Sequence, residues 1–145
     1  MKYDLTIIVP VKNEEKNIGI LIKEIEEKIV NIEKLQLYFV DDGSVDKSWN
    51  IIKSSSFNNA NYKINGIKLN RNYGKDLALY AALDKVDSKY LVFYDCDMQF
   101  DIDCLNQMYS LIKKNYVPLI QGKKNKSDIK ITSKIFYKLF NFLTG

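Results

Sequence analysis

Apolar residues along this chain fall into short runs separated by longer amphipathic stretches. Leu5 to Val11 is an apolar, β-branched run of strand length, broken by Pro10. Asn13 then stands where a helix cap is expected, with Glu14 and Glu15 in a first turn that favours carboxylates. Ile18, Leu21, Ile22, Ile25 and Ile29 repeat at helical spacing and form one apolar stripe. Leu35 to Val40 reads as a second strand, closed by Asp41-Asp42-Gly43-Ser44, with Ser44 expected to cap a helix through Trp49, Ile51 and Ile52. Tyr62 to Leu69 alternates as a strand does and ends in Asn70-Arg71-Asn72-Tyr73-Gly74. An Ala-rich helix over Leu77 to Leu83 leads to an apolar strand, Tyr90 to Tyr94, closed by Asp95-Cys96-Asp97. A helix near Asp103 to Lys114 and a strand near Val117 to Gln121 follow. A polar, lysine-rich segment, Gly122 to Lys130, precedes a last helix over Ile131 to Leu143.

Strands that alternate with helices predict an α/β fold, with a mostly parallel sheet covered by helices on both faces. A length of 145 residues fits one domain. The expected division is a ligand-binding sheet domain over 1–122 and, as part of the same domain, a basic linker and amphipathic helix over 123–145. At 46% hydrophobic and 28% charged residues, the chain has the material for a buried core.

Composition narrows the chemistry. The chain has no histidine, which removes His-based metal sites and Ser/His/Asp or Cys/His machinery. Two cysteines, Cys96 and Cys104, do not make a disulfide scaffold and suit a reducing compartment. The opening MKYDLTIIVPVKNEE lacks the pattern of a signal peptide, and no window approaches the ~20 apolar residues of a membrane span. A cytoplasmic protein is expected, soluble or peripheral to the membrane's cytoplasmic face. The net charge of +4 is concentrated at the end: residues 121–145 carry a surplus of +5, which leaves −1 for the rest.

In open α/β sheets, ligands bind outside the carboxyl ends of the strands. The polar residues of interest collect there: Lys12-Asn13-Glu14, Asp41-Asp42 and Asp95 to Gln99. No glycine-rich phosphate loop follows the first strand, so the dinucleotide fingerprint and the P-loop are both absent. A diphosphate bound at such a site needs another counter-charge. Magnesium or manganese, held by few carboxylates and by the ligand's own phosphate oxygens, supplies it. Asp95 and Asp97 point to opposite faces of an extended strand, so both reach one ion only where the backbone turns. Asp97 on the metal, Asp95 toward the ribose or the metal's water shell, and Gln99 as a neutral oxygen form the expected set.

Pro10-Val11-Lys12-Asn13-Glu14-Glu15, Val40-Asp41-Asp42-Gly43-Ser44, Arg71-Asn72-Tyr73-Gly74-Lys75 and Asp95-Cys96-Asp97-Met98-Gln99 resemble, in order and spacing, the motifs of family 2 glycosyltransferases. More narrowly, the chain is similar to the dolichyl- or polyprenyl-phosphate sugar transferases, whose last motif typically reads Asp-x-Asp-Leu-Gln. The resemblance extends through Gln121-Gly122-Lys123 and the Ser133 to Gly145 tail. It implies a GT-A-type nucleotide-sugar-binding fold, with Pro10, Glu14, Val40 and Asp42 around base and ribose, with Lys12 and Asp41 among the nucleotide-sugar-binding residues, and with Asp95 and Cys96 near the nucleotide. It also implies that Asp97, Gln99 and Asp95 bind the metal and that Lys123 meets the diphosphate, which makes Asp97 and Lys123 the catalytic pair. Lys12 stands where the family commonly has tyrosine. Lys123 replaces the usual arginine, a point charge in place of a bidentate fork.

The implied reaction is inverting transfer of a sugar from a UDP- or GDP-linked donor, with the metal and Lys123 stabilising the departing diphosphate. A polyprenyl-phosphate acceptor is already ionised near neutral pH and needs no strong protein base, whereas a sugar hydroxyl does. Along the tail, Lys130, Lys134 and Lys138 repeat beside Ile131, Ile135, Leu139 and Phe142. Residues 130–143 are thus suited equally to an anionic membrane surface and to packing on the sheet. The alternatives are a saccharide acceptor in cell-surface glycan synthesis and a non-catalytic nucleotide-sugar-binding module. Nucleic acid is not an expected partner, because Arg71 is the lone arginine and base-edge readers favour arginine.

Overall fold

A computed structural model describes residues 2–115. Four strands, β1 (Tyr3–Val11), β2 (Leu35–Asp41), β3 (Tyr62–Lys68) and β4 (Ser88–Phe93), form one sheet in the order β3-β2-β1-β4. Every neighbouring pair is parallel. Parallel neighbours need a crossover between them. The helices α1 (Ile18–Lys28), α2 (Ser48–Ser54) and α3 (Lys75–Leu83) supply those crossovers, and α4 (Asp103–Asn115) follows β4.

The central strands are apolar on both faces because both faces are covered. On one side Ile7, Val9, Leu37 and Phe39 meet the α1 stripe of Ile18, Leu21, Ile22 and Ile25, with Leu105 and Tyr109 of α4 in the same cluster. On the other, Ile8, Tyr38 and Val40 meet Ala78, Leu79 and Ala82 of α3. The fully buried Thr6 belongs to the second face. Its hydroxyl donates to Gln36 Oε1 at 3.1 Å, and Gln36 Nε2 donates to Asn65 Oδ1 at 3.0 Å, so these three polar side chains on the sheet are paired with one another.

The chain runs outward from β1 to β2 and β3, then returns to place β4 on the other side of β1. The reversal opens a crevice at the carboxyl ends of β1 and β4, the place where open α/β sheets bind ligands.

Two expected helix caps do different work. α1 starts only at Ile18, and the residue before it, Asn17, makes no side-chain cap bond. Asn13 sits in the left-handed region at φ 56°, a conformation that asparagine tolerates better than most residues. α2 starts at Ser48 after Lys47, four positions past Ser44. Both Asn13 and Ser44 instead join two loops, as described below. The expected strand Val117 to Gln121, the segment Gly122 to Lys130, the helix Ile131 to Leu143, the boundary at 122 and Lys123 lie outside the described residues. No helix among the described residues is long and apolar enough to cross a membrane.

Candidate functional site

The loop after β1 and the loop after β2 are laced together through backbone N–H groups and short side chains. Asn13 N donates to Ser44 Oγ at 2.9 Å, and Val45 N donates back to Asn13 Oδ1 at 2.9 Å. Glu14 N donates to Ser48 Oγ at 2.8 Å, while Lys47 N donates to Glu15 Oε2 at 3.0 Å. Lys12 adds its ammonium group, which donates to the carbonyls of Asp42 at 3.0 Å and Gly43 at 2.6 Å. Here the lysine found in place of tyrosine ties the wall of the site together.

The neighbouring residues Asp41 and Asp42 have separate roles. Asp41 is fully buried. Its Oδ1 accepts Ser44 N at 2.7 Å, and its Oδ2 has no hydrogen-bond partner, although Lys68 Nζ stands 3.9 Å away. Asp42 faces the third loop: Oδ1 accepts Tyr73 N at 2.7 Å and Oδ2 accepts Gly74 N at 2.9 Å. The Asp42 carboxylate thereby docks the segment Arg71 to Gly74 onto the end of β2. The fit is close enough that Gly43, at φ 67°, leaves a Cβ no room against the Arg71 and Asn72 backbone.

β4 ends at Phe93, and the chain then turns at once. Met98 N donates to Asp95 O at 3.2 Å with Met98 at φ 52°, so the triplet is bent and not extended. Both Asp95 and Asp97 consequently face one cleft. Lys75, the first residue of α3, places its ammonium group on Asp95 Oδ1. Asp97 Oδ2 accepts the Gln99 side-chain amide, and Asp97 Oδ1 accepts Gln99 N at 3.3 Å.

The cleft has a volume of about 360 Å³ and lies at the carboxyl end of the sheet. Pro10, Lys12, Glu14, Asp42, Asp95, Cys96 and Asp97 line it, as do Val11, Asn72, Gly74 and Lys75. Val40, Asp41 and Gln99 do not. Val40 packs under α3, Asp41 points into the protein, and Gln99 donates its side-chain amide to Asp97. The last four lining residues received no role from the sequence, although Asn72, Gly74 and Lys75 belong to a motif it displays.

The volume suits a small polar ligand, since binding clefts run from about 300 to 1,000 Å³. Four carboxylates, Glu14, Asp42, Asp95 and Asp97, face two ammonium groups, Lys12 and Lys75, so the cleft is net acidic. Burial, with the carboxylates of Glu14, Asp97 and Asp95 adding to it, pushes the Cys96 thiol up to about 12. Cys96 therefore stays a neutral thiol and is not a nucleophile near pH 7. Among the described residues no group of three or more His, Cys, Asp or Glu side chains forms a cage for a metal ion. Asp95 and Asp97 offer hard oxygen donors that fit magnesium or manganese only if the ligand's oxygens complete the shell.

Comparison with known proteins extends this picture. The sequence model of Glycosyl transferase family 2 matches residues 6–143. The chain is 27% identical to a dodecaprenyl-phosphate galacturonate synthase of Rhizobium johnstonii, over 98% of this chain and 42% of the relative. It is also 27% identical to an undecaprenyl-phosphate 4-deoxy-4-formamido-L-arabinose transferase of Photorhabdus laumondii, over 97% of this chain and 44% of the relative. The chain thus spans less than half the length of these curated relatives. Among solved structures it is similar to S. aureus TarS 1-349, with a TM-score of 0.70 and 22% identity over 92% of this chain and 39% of that one. The likeness is one of fold, the GT-A arrangement. TarS 1-349 has also been solved in complex with UDP-GlcNAc, and there the TM-score is 0.69 at 23% identity, over 90% of this chain and 37% of that one.

Proposed function

This chain belongs to glycosyl transferase family 2, and we propose that its cleft binds a nucleoside-diphosphate sugar for inverting transfer to a polyprenyl phosphate. The observation that carries the reading is the turn at Asp95 to Met98, which brings two carboxylates to the crevice between β1 and β4. An acidic cleft without a phosphate loop repels a diphosphate unless a cation stands between them. Family 2 enzymes of the GT-A fold commonly use divalent metals. Here Asp97 would hold magnesium or manganese, with Asp95 beside it and with Gln99 bonded to Asp97. Such an ion would supply Lewis-acid stabilisation of the negative charge on the leaving diphosphate.

The remaining roles belong to the chain's own groups. Pro10, Val11, Lys12 and Glu14 form the wall for base and ribose, and Asp42 keeps the Asn72 to Lys75 segment against that wall. Lys123 is assigned to the diphosphate on the family resemblance alone. The TarS complexes with UDP and UDP-GlcNAc favour a UDP-linked donor. The two relatives whose names specify dodecaprenyl and undecaprenyl phosphate favour a lipid-phosphate acceptor. That acceptor brings its own negative charge, so transfer needs no protein base. Such an acceptor places the work of the site at a membrane surface, with the cytoplasmic face as the proposed side.

Hydrogen exchange locates the donor. With UDP-GlcNAc and Mn2+, amides in Asp42 to Ser44, Asn72 to Lys75 and Asp95 to Met98 should exchange more slowly, while β3 is unaffected. Protection that leaves all three loops unchanged would place the donor elsewhere and end this reading.

A further inference from the structure

The ion pair between Lys75 and Asp95 joins the two sides of the cleft. Lys75 stands at the start of α3, on the segment that Asp42 docks, and Asp95 stands on the turn after β4. The pair is half in solvent, with side-chain exposures of 55% and 42%. Such a pair is worth only about 0–1 kcal/mol and separates readily. It nevertheless sets a charge conflict. A divalent ion that uses Asp95 must displace the ammonium group or accept it as a close neighbour, and the displaced ammonium stays inside the same cleft.

We infer that Lys75 is a positioning residue that holds Asp95 while the donor is absent and passes to the donor's diphosphate oxygens when the metal takes Asp95. The inference rests on the metal-assisted donor site proposed above. It gives Lys75 opposite effects on two ligands. Toward the metal alone it is a competitor, since it neutralises the carboxylate and repels the incoming cation. Toward the diphosphate it is a second counter-charge, on the far side from the metal. Metal and nucleotide therefore each bind more favourably when the other is present: the diphosphate takes up the ammonium group that competes with the metal, and the metal frees that group from Asp95.

The test is one substitution read with two probes. Lys75→Met keeps the length of the side chain and removes the charge. Its Mn2+ affinity without nucleotide, followed by the loss of free-ion EPR signal, should rise about fivefold, the scale of one exposed ion pair that no longer has to be broken. Its affinity for UDP at saturating Mn2+ should fall by a similar factor. Asp95→Asn, which removes the pair from the other side, should erase the gain in Mn2+ affinity when combined with Lys75→Met. Lys75→Arg should restore UDP binding. An unchanged Mn2+ affinity in Lys75→Met, in a protein whose UDP binding depends on Asp97, overturns the inference and leaves the donor site standing. Parallel losses of both ligands overturn it as well. If the parent binds neither Mn2+ nor UDP, the donor-site reading falls and this inference with it.

Discussion

Gly43→Ala is expected to lower the unfolding free energy by about 3–5 kcal/mol and to remove donor binding. Gly43 adopts φ 67°, which a side chain tolerates poorly. The larger cost is contact: a Cβ there would stand 2.6 Å from Arg71 C and 2.9 Å from Arg71 Cα and Asn72 N. Those atoms are backbone, so no rotamer change relieves the overlap. Either the Asp42 to Ser44 loop or the Arg71 to Gly74 segment has to move, and both line the cleft or hold residues that do. Gly74→Ala is the control. Gly74, at φ 91° and ψ 156°, lies in a region kept almost entirely to glycine, yet nothing lies within 4 Å of its added Cβ. It should cost about 1–3 kcal/mol, the conformational part alone. Urea unfolding of the two variants separates the effects, and equal losses would mean that the packing of these two loops is looser than described.

Asp42→Ala should weaken donor binding at least about tenfold, one lost charged hydrogen bond being worth about 1.5–3 kcal/mol. The route of that loss distinguishes two accounts. If Asp42 acts as the clamp seen here, its removal leaves Tyr73 N and Gly74 N without their carboxylate, and both amides exchange faster in the protein without ligand. If Asp42 only contacts the ribose, donor affinity falls while those amides keep their rates. The structure favours the first outcome, because both carboxylate oxygens already accept an amide of the loop. Asp42→Asn, which keeps one acceptor oxygen, should fall between parent and alanine.

The strands and their order of occurrence were readable because a sheet covered on both faces leaves contiguous apolar runs, as at Ile7 to Val9 and Leu37 to Val40. The location of the site was readable for a related reason: polar residues directly after such runs have to sit at the carboxyl end of the sheet. What failed was local pattern used for distant pairing. Asn13 and Ser44 each precede an amphipathic stretch and so carry the signature of a helix cap. They bond to each other's loops, a pairing across 31 and 32 positions that no helical window contains.

The division between Asp41 and Asp42 was hidden for another reason. Alternation says that adjacent side chains point apart, and it does not say which of them meets the cleft. Gln99 illustrates a related gap: its type suggests a metal oxygen, and the sequence does not show that its amide nitrogen donates to Asp97 Oδ2. Lys75 was visible in its motif without a role, because its partner comes from the turn after β4 and the two meet only once α3 has crossed the sheet.

The central claim is that a metal held by Asp97 joins a nucleoside-diphosphate sugar to this cleft. Calorimetric titration of UDP-GlcNAc into the parent protein and into Asp97→Ala, each with and without Mn2+, measures it most directly. The account predicts binding to the parent that requires Mn2+ and that weakens at least about tenfold in Asp97→Ala, since changes even one layer behind a metal ligand cost that much. Binding of equal strength with and without Mn2+, unchanged by Asp97→Ala, would contradict it.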